Sequence, residues 1–324
     1  MRKSEIAIFD SEDVRKELDY ASCINVMREA MRALSAGKTR QLLRRMIHMG
    51  EGRIFAQMPG TLGDDDMFGA KMISVFADAD NPGLRRHRGL IVMFEPEQGR
   101  PVCVVDAEEV THIRTAAATA VATDILARKD ASTLLIMGTG GQARTHLKAL
   151  PLVRHFERVM IWGRNISRAQ ALVDEFADAL PVELATDARA AASAASVICT
   201  LTGSHEPILL GEWLSPGTHI NIVGSSGPGP VEVDSALVMR SRYVADSRAS
   251  VLDAGAEFLL AKQAGLIGDD HIVAEIGQVL LGEVPGRTSG DQITAYKSLG
   301  HPVQDLAAAA YIYRRSIHDN QPAT

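Results

Sequence analysis

The chain has 324 residues, 46% of them hydrophobic, and 34 basic against 40 acidic side chains give a formal net charge of -6. The two signs are mixed along the sequence, which argues against a nucleic-acid surface or a polybasic membrane patch, and no apolar run approaches the roughly 18 residues of a membrane span. Three scattered cysteines (Cys23, Cys103, Cys199) without paired spacing, and no apolar signal core after Met1-Arg2-Lys3-Ser4-Glu5, lead us to expect a cytoplasmic protein of about two domains without disulfides.

Ser11-Glu12-Asp13-Val14 reads as a helix start, with Ser11 or Asp10 as cap. From Tyr20 to Ala36, Ile24, Val26, Met27, Ala30, Met31 and Leu34 recur at helical spacing, and Gly37 stops the helix. Met46–Met49 and Arg53–Met58 read as strands joined through Gly50-Glu51-Gly52. Gly69–Phe76 is a further strand, and Gly89–Phe94 and Pro101–Asp106 form a pair around the turn residues from Pro96 to Gly99. An alanine-rich helix from Thr111 to Ala127 carries the chain into a second domain. From about Lys129 to Gly290 strands alternate with helices, the pattern of a parallel sheet. The strands are Thr133–Met137, Arg158–Trp162, Ser196–Leu201, His219–Val223 and Tyr243–Ala245, with helices over Gln142–Leu150, Ser167–Ala179 and Thr186–Ala194. A last helix, Val303 to Ile317, is expected to pack back on the first domain. The expected fold class is therefore α/β: a Rossmann-type doubly wound parallel sheet over 118–302, plus an α+β substrate-binding and dimerisation domain of 1–117 with 303–324.

The most specific segment is Thr133-Leu134-Leu135-Ile136-Met137-Gly138-Thr139-Gly140-Gly141-Gln142-Ala143. A short apolar strand runs through a glycine turn straight into a helix, the context in which Gly-x-Gly-x-x-Gly/Ala signals dinucleotide binding. Gly138 permits the tight turn, Gly140 lets the backbone approach a pyrophosphate, and Ala143 is small enough for close helix–strand packing. The helix start around Thr139, Gly141 and Gln142 offers N–H groups to phosphate. Such folds usually end their second strand in an acid that holds the ribose 2′-OH; here that position reads Trp162-Gly163-Arg164-Asn165 and has no carboxylate. Arg164, backed by Asn165, suits a 2′-phosphate and favours NADP; alternatively it stacks on the adenine or caps the next helix, and either cofactor binds. Thr200, Leu201, Ser225 and Ser298 complete the expected cofactor-binding set. No histidine has metal-ligand spacing, and no metal is expected.

Several collinear segments together resemble the ornithine cyclodeaminase/mu-crystallin family. They are Arg114-Thr115-Ala116-Ala117, the glycine turn, Ile161-Trp162-Gly163-Arg164, Glu206-Pro207-Ile208-Leu209, His219–Ser226, Ala274-Glu275-Ile276-Gly277 and Tyr296-Lys297-Ser298-Leu299-Gly300. The resemblance implies a homodimer whose first domain, completed by the C-terminal helix, carries substrate contacts and the dimer sheet. The second domain is a Rossmann fold. Members include NAD-using cyclodeaminases, amino-acid dehydrogenases and reductases of imines and cyclic ketimines.

Three cations hold an α-carboxylate near the nicotinamide in this family, and the matching positions are Arg44, Lys71 and Arg114, with Arg45 competing for the place of Arg44. The chemistry agrees: guanidinium forks suit carboxylates, and a lysine among Ala70, Met72 and Ile73 is expensive to bury without an anion. Lys71 and Arg114 are the expected catalytic residues, with Lys71 also a candidate proton donor. His87, in the basic stretch Leu84–Gly89, either touches the imine or nicotinamide or is a solvated loop residue. Arg45 and His48, on a strand near Arg44, would suit a second substrate carboxylate.

Cyclodeaminases of this family carry an aspartate where this chain has Ser226, and a glutamate near the strand that here reads Arg53-Ile54-Phe55-Ala56-Gln57. A serine hydroxyl is no general base near neutral pH without an activating partner. The expected function is therefore an NAD(P)H-dependent reductase of an α-imino acid, cyclic ketimine or open imine such as iminosuccinate, giving an L-amino acid. In reverse it is an amino-acid dehydrogenase. The alternatives are an ornithine cyclodeaminase and a non-catalytic binding protein like the hormone-binding mu-crystallins. The expected partner is a small imino or amino acid.

Overall fold

A computed structural model describes residues 6–77, 85–227 and 229–319, with the side chains of 77, 85–87, 318 and 319 outside the description. The chain divides into two compact units, Met1–Arg114 with His301–Thr324, and Thr115–Gly300.

The first unit opens with β1 (Ala7–Phe9), α1 (Ser11–Glu17) and α2 (Tyr20–Ser35). Asp10 is the cap of α1: its carboxylate accepts from Glu12 and Asp13 N–H, and Asp13 returns the bond in a capping box. Asp19 caps α2 in the same way by accepting from Ser22 N–H. The buried residues of α2 are Cys23, Ile24, Met27, Ala30 and Met31; the last four belong to the anticipated stripe, whose Val26 and Leu34 are only half-buried. Next come β2 (Arg40–Gln41), β3 (Arg45–His48), β4 (Ile54–Thr61), β5 (Phe68–Ala77), β6 (Arg85–Phe94) and β7 (Pro101–Asp106). With β1 they form a seven-stranded sheet in the order β1-β7-β6-β5-β4-β2, with β3 also paired to β4. Only the β1–β7 pairing is parallel.

Register fixes two unlike faces in this sheet, because neighbouring residues of a strand point oppositely. Met58, Lys71 and Ile91 lie side by side across β4, β5 and β6 on the buried face, with Ala56, Ile73, Met93 and Val105. The opposite face carries Ile8, Ile47, Phe76 and Leu90, from 40% to 75% exposed, in line with Met72 and Val92. The last helix of the chain packs on α2 and on β4, β5 and β6.

The helix α3 (Ala107–Leu126) begins one turn earlier than its alanine-rich stretch suggests, because Asp106 accepts from Glu109 N–H at its start. It carries the chain into the second unit. There β8 (Thr133–Met137), α4 (Gly141–Ala149), β9 (Arg158–Trp162), α5 (Ile166–Phe176), β10 (Val182–Leu184), α6 (Ala188–Ala194), β11 (Val197–Thr200), β12 (His219–Ile222), α7 (Ser235–Arg240), β13 (Arg242–Ala245), α8 (Arg248–Ala254), α9 (Ala256–Gln263), β14 (Ile272–Glu275), α10 (Ile276–Leu281) and β15 (Thr294–Lys297) follow, and α11 (Pro302–Asp319) returns to the first unit. The eight strands are all parallel in the order β10-β9-β8-β11-β12-β15-β13-β14. They bury near-continuous apolar runs such as Leu134–Met137 and Val197–Cys199, as strands covered on both faces do. The order reverses between β8 and β11, and a parallel sheet presents its ligand crevice at that switch, at the carboxyl ends of the strands. The chain is thus α/β with a doubly wound parallel sheet and a second, mostly antiparallel sheet, as expected. Five short strands, β1 and β2 in the first sheet and β10, β14 and β15 in the second, were not anticipated, and β15 inserts between β12 and β13 rather than beside β14.

Candidate active site

In the first unit the cations converge on an acid. Lys71, centred on the buried face of β5, donates from Nζ to Asp305 Oδ1 at 2.8 Å and to Thr111 Oγ1 at 2.5 Å. Thr111 in turn donates to the Ala107 carbonyl one turn back on α3. Arg114, three residues beyond Thr111 on the same helix, donates from Nε to the same Asp305 Oδ1 at 2.9 Å and from Nη1 to Gln304 Oε1 at 2.8 Å. Lys71, Arg114 and Asp305 are 4% exposed or less, so each charge needs the others. Burial pushes the Lys71 ammonium down to about 8; Asp305 opposes the fall while Arg114 and Arg44 add to it. Burial also opposes the Asp305 carboxylate, but Arg114 and Lys71 outweigh it and hold its pKa below the usual range. His301, at the foot of α11, is pushed down to about 4 by burial and is neutral near pH 7.

One carboxylate therefore faces Lys71, Arg114 and the nearby charge of Arg44, an excess of positive charge suited to a substrate anion. Asp305 Oδ2 is buried without a hydrogen-bond partner among the described residues. A buried acceptor left open in this way has room for a donor, from an ordered water or from a ligand. The sequence reading named Arg44, Lys71 and Arg114 but missed Asp305, Gln304 and Thr111. The available signal was an acid and an amide in the first turn of α11, directly before the apolar run Leu306–Ala310.

In the second unit the glycine turn has the anticipated form. Gly138 takes φ +143°, and a Cβ there would stand 2.7 Å from the Leu201 carbonyl oxygen, so β8 and β11 approach too closely for any other residue. Gly140 caps α4 without a side-chain hydrogen bond, and a Cβ there would meet nothing within 4 Å. The open backbone and the uncapped start of α4 at Gly141 and Gln142 fit a dinucleotide's pyrophosphate. Ala143 is fully buried against the sheet. Thr139 packs its Cγ2 where a Cβ on Gly163 would fall, 2.6 Å away.

At the end of β9, Arg164 is exposed, whereas Asn165 accepts from Arg168 N–H and caps α5. Asn165 thus has a structural task beside any ribose contact. Thr200 and Ser225 are fully buried: Thr200 donates to Glu232 Oε2 at 2.8 Å, and Ser225 Oγ contacts Glu257 and accepts from Lys297 Nζ at 2.5 Å. Their hydroxyls are taken up by Glu232, Glu257 and Lys297, which leaves the backbone of these two residues as the part open to a cofactor. Leu201 is buried beneath Gly138, and Ser298 Oγ is buried without a partner among the described residues.

One expectation changes. Arg45 and His48 are three residues apart on β3, paired with Gln57 and Ile54, and so face opposite sides of the sheet; both are exposed and they do not form a joint anion site. The side chain of His87 lies outside the described residues. Among those residues no group of His, Cys, Asp or Glu has the arrangement to hold a metal, and no helix is long and apolar enough to cross a membrane.

A family model described as "Ornithine cyclodeaminase/mu-crystallin family" matches residues 4–320. The chain belongs to this family. Ketimine reductase mu-crystallin of Mus musculus is 32% identical over 95% of this chain and 96% of its own. Among solved structures, the Δ1-pyrroline-2-carboxylate reductase of Thermococcus litoralis, in complex with NADH and L-proline, superposes with a TM-score of 0.93 at 29% identity, covering 98% of this chain and 100% of that one. An archaeal alanine dehydrogenase dimer with bound NAD gives a TM-score of 0.91 at 29% identity, with 98% of each chain covered. These two solved relatives, one with NADH and one with NAD, each align over 98% of this chain.

Proposed function

We propose that this family member is an NAD(P)H-dependent reductase that converts an α-imino acid to an L-amino acid, and in reverse an amino-acid dehydrogenase. The observation that carries the reading is the buried Lys71–Asp305–Arg114 cluster, with its excess positive charge and its open Asp305 Oδ2. Residues 1–117 with 303–324 form the substrate and dimerisation domain, and 118–302 the dinucleotide domain. Arg114 and Arg44 bind the substrate carboxylate. Asp305 Oδ2 accepts the N–H of the protonated imine and favours that charged form. Lys71, poised near neutrality, supplies the proton that turns the neutral imine into this iminium, so that hydride addition gives the neutral amine. A bound reduced nicotinamide supplies the hydride to the imine carbon. Arg164, exposed beside the open end of β9, favours NADPH.

A monocarboxylate cyclic ketimine such as Δ1-pyrroline-2-carboxylate is the preferred substrate, because Arg45 and His48 do not combine on a second carboxylate. The exposed face of the first sheet, through Ile8, Leu90 and Phe76, serves a homodimer. Three buried free thiols suit a reducing cytoplasm. Ser226, where cyclodeaminases carry an acid, separates this reading from ornithine cyclisation. The test is a panel of pyrroline-2-carboxylate, piperideine-2-carboxylate, and oxaloacetate or pyruvate with ammonia, each with NADH and NADPH. Stoichiometric nicotinamide oxidation with a cyclic ketimine is expected. Ammonia release from ornithine without net nicotinamide consumption, and silence across the panel, would restore the cyclodeaminase.

A further inference from the structure

The C-terminal ends of β11 and β12 rest on a polar cluster that the reaction proposed above does not use. Its centre is Glu232, which is fully buried. One carboxylate oxygen accepts from Thr202 N–H at 2.6 Å and Thr202 Oγ1 at 2.9 Å; the other accepts from Thr200 Oγ1 at 2.8 Å, Gly224 N–H at 2.7 Å and Ser225 N–H at 3.2 Å. Every donor belongs to one of two segments, the end of β11 with its following loop, or the loop after β12. A carboxylate has about four lone-pair sites, so this one is saturated by the loops alone. Its backbone is anchored elsewhere: Glu232 N–H donates to Glu257 Oε1 at 3.1 Å, and its carbonyl accepts from Ile208 and Leu209 N–H. Lys297, at the end of β15, donates to the Ser225 carbonyl at 2.6 Å and to Glu257 Oε2 at 2.9 Å and backs the same loop.

The two loops are drawn together so tightly that a Cβ on Gly224 would stand 2.1 Å from the Thr202 carbonyl oxygen and 2.6 Å from Glu232 Oε1. Further along them, a Cβ on Gly203 or Gly227 would meet nothing within 4 Å, as at Gly140 in the first turn. The loops are held from one side and leave open backbone elsewhere, at the strand ends where a parallel sheet takes its ligand.

We propose that Glu232 is a positioning residue that sets the nicotinamide end of the dinucleotide site by clamping the loops after β11 and β12. This rests on the dinucleotide reading of the second unit. Glu232 touches neither substrate nor cofactor. It fixes the surface on which the reacting ring lies, while the glycine turn after β8 and the end of β9 govern the pyrophosphate and adenine end.

The test compares wild type with Glu232→Gln, which replaces one acceptor oxygen with an N–H₂ group facing obligate donors. Affinity is measured for NADH and NADPH by nicotinamide fluorescence and for the fragment 2′,5′-ADP by calorimetry, with amide exchange of residues 200–204 and 223–227. The variant is expected to bind the dinucleotides at least tenfold more weakly, to bind the fragment like wild type, and to exchange faster in those two segments. A mere loss of folding stability does not separate dinucleotide from fragment in this way. Thr202→Val, which removes one hydroxyl donor and keeps the carboxylate, is expected to move the same ratio by less, and it carries the test if Glu232→Gln does not fold. Equal dinucleotide affinity and unchanged exchange in the folded variants overturn the positioning role. Wild type that binds no dinucleotide overturns the underlying reading as well, and the two failures are distinct.

Discussion

Single residues decide the chemistry, and Lys71 is the most informative. Its pKa of about 8 sits between two opposed influences, burial that drives it down and the Asp305 carboxylate that holds it up. In the reductive direction the protonated ammonium is the useful form. kcat/KM for imine reduction should therefore be level below pH 8 and fall about tenfold per pH unit above it, while oxidation of the amino acid gains over the same interval. Asp305→Asn removes the influence that raises the lysine, so the descending limb should move to lower pH as well as drop in height. A pH–rate profile of both proteins checks this; a limb that stays in place or moves to higher pH contradicts the pairing. Arg114→Ala removes a charge-assisted contact and should raise KM for the imine roughly 10- to 100-fold with cofactor affinity nearly unchanged, as read by isothermal titration with NADPH. A collapse of NADPH affinity instead would place Arg114 at the cofactor.

Elements show what the sequence could and could not reveal. The strand–turn–helix of β8 and α4 was readable because its requirements are local: an apolar run, then a glycine, Gly138, whose φ and close approach no other residue tolerates. Gly138→Ala should lower stability by roughly 1–3 kcal/mol for the backbone conformation alone and weaken dinucleotide binding; a thermal melt equal to wild type would contradict the close approach to Leu201. The paired strands β3–β4 and β6–β7 were readable for the same local reason, since turn residues stand between apolar stretches. Asp305 was not readable, because what makes an acid tolerable inside α11 comes from Lys71 and Arg114, far away in sequence. Nor was β15, four residues whose place in the sheet is given by β12 and β13 on either side. The mistaken pairing of Arg45 with His48 came from treating closeness in sequence as closeness in space, which a strand's two-residue period forbids over an odd interval. At the edge of β9, Arg164→Asp should shift the ratio of kcat/KM toward NADH; an unchanged ratio would mean that Arg164 does not read the 2′ position.

At the scale of the whole molecule, the first sheet is covered by helices on the Lys71 face and leaves Ile8, Ile47, Phe76 and Leu90 exposed on the other. They share that face with exposed Arg45, Gln57 and Arg88, a mixed surface suited to self-pairing about a twofold axis. Leu90→Glu places a charge at its middle, in register with Met72. Light scattering after size exclusion should show a dimer for wild type and a monomer for the variant, with the far-ultraviolet spectrum unchanged; a variant that stays dimeric would move the interface elsewhere. The central claim is that a hydride passes to the α-carbon of an imino acid held by Lys71, Arg114 and Asp305. The direct measurement is mass spectrometry of the product formed from pyrroline-2-carboxylate with nicotinamide cofactor deuterated at the transferable C4 position. One deuterium at the α-carbon of proline, with one cofactor oxidised per proline formed, is the expected result; proline without the label, or cofactor left unoxidised, contradicts it.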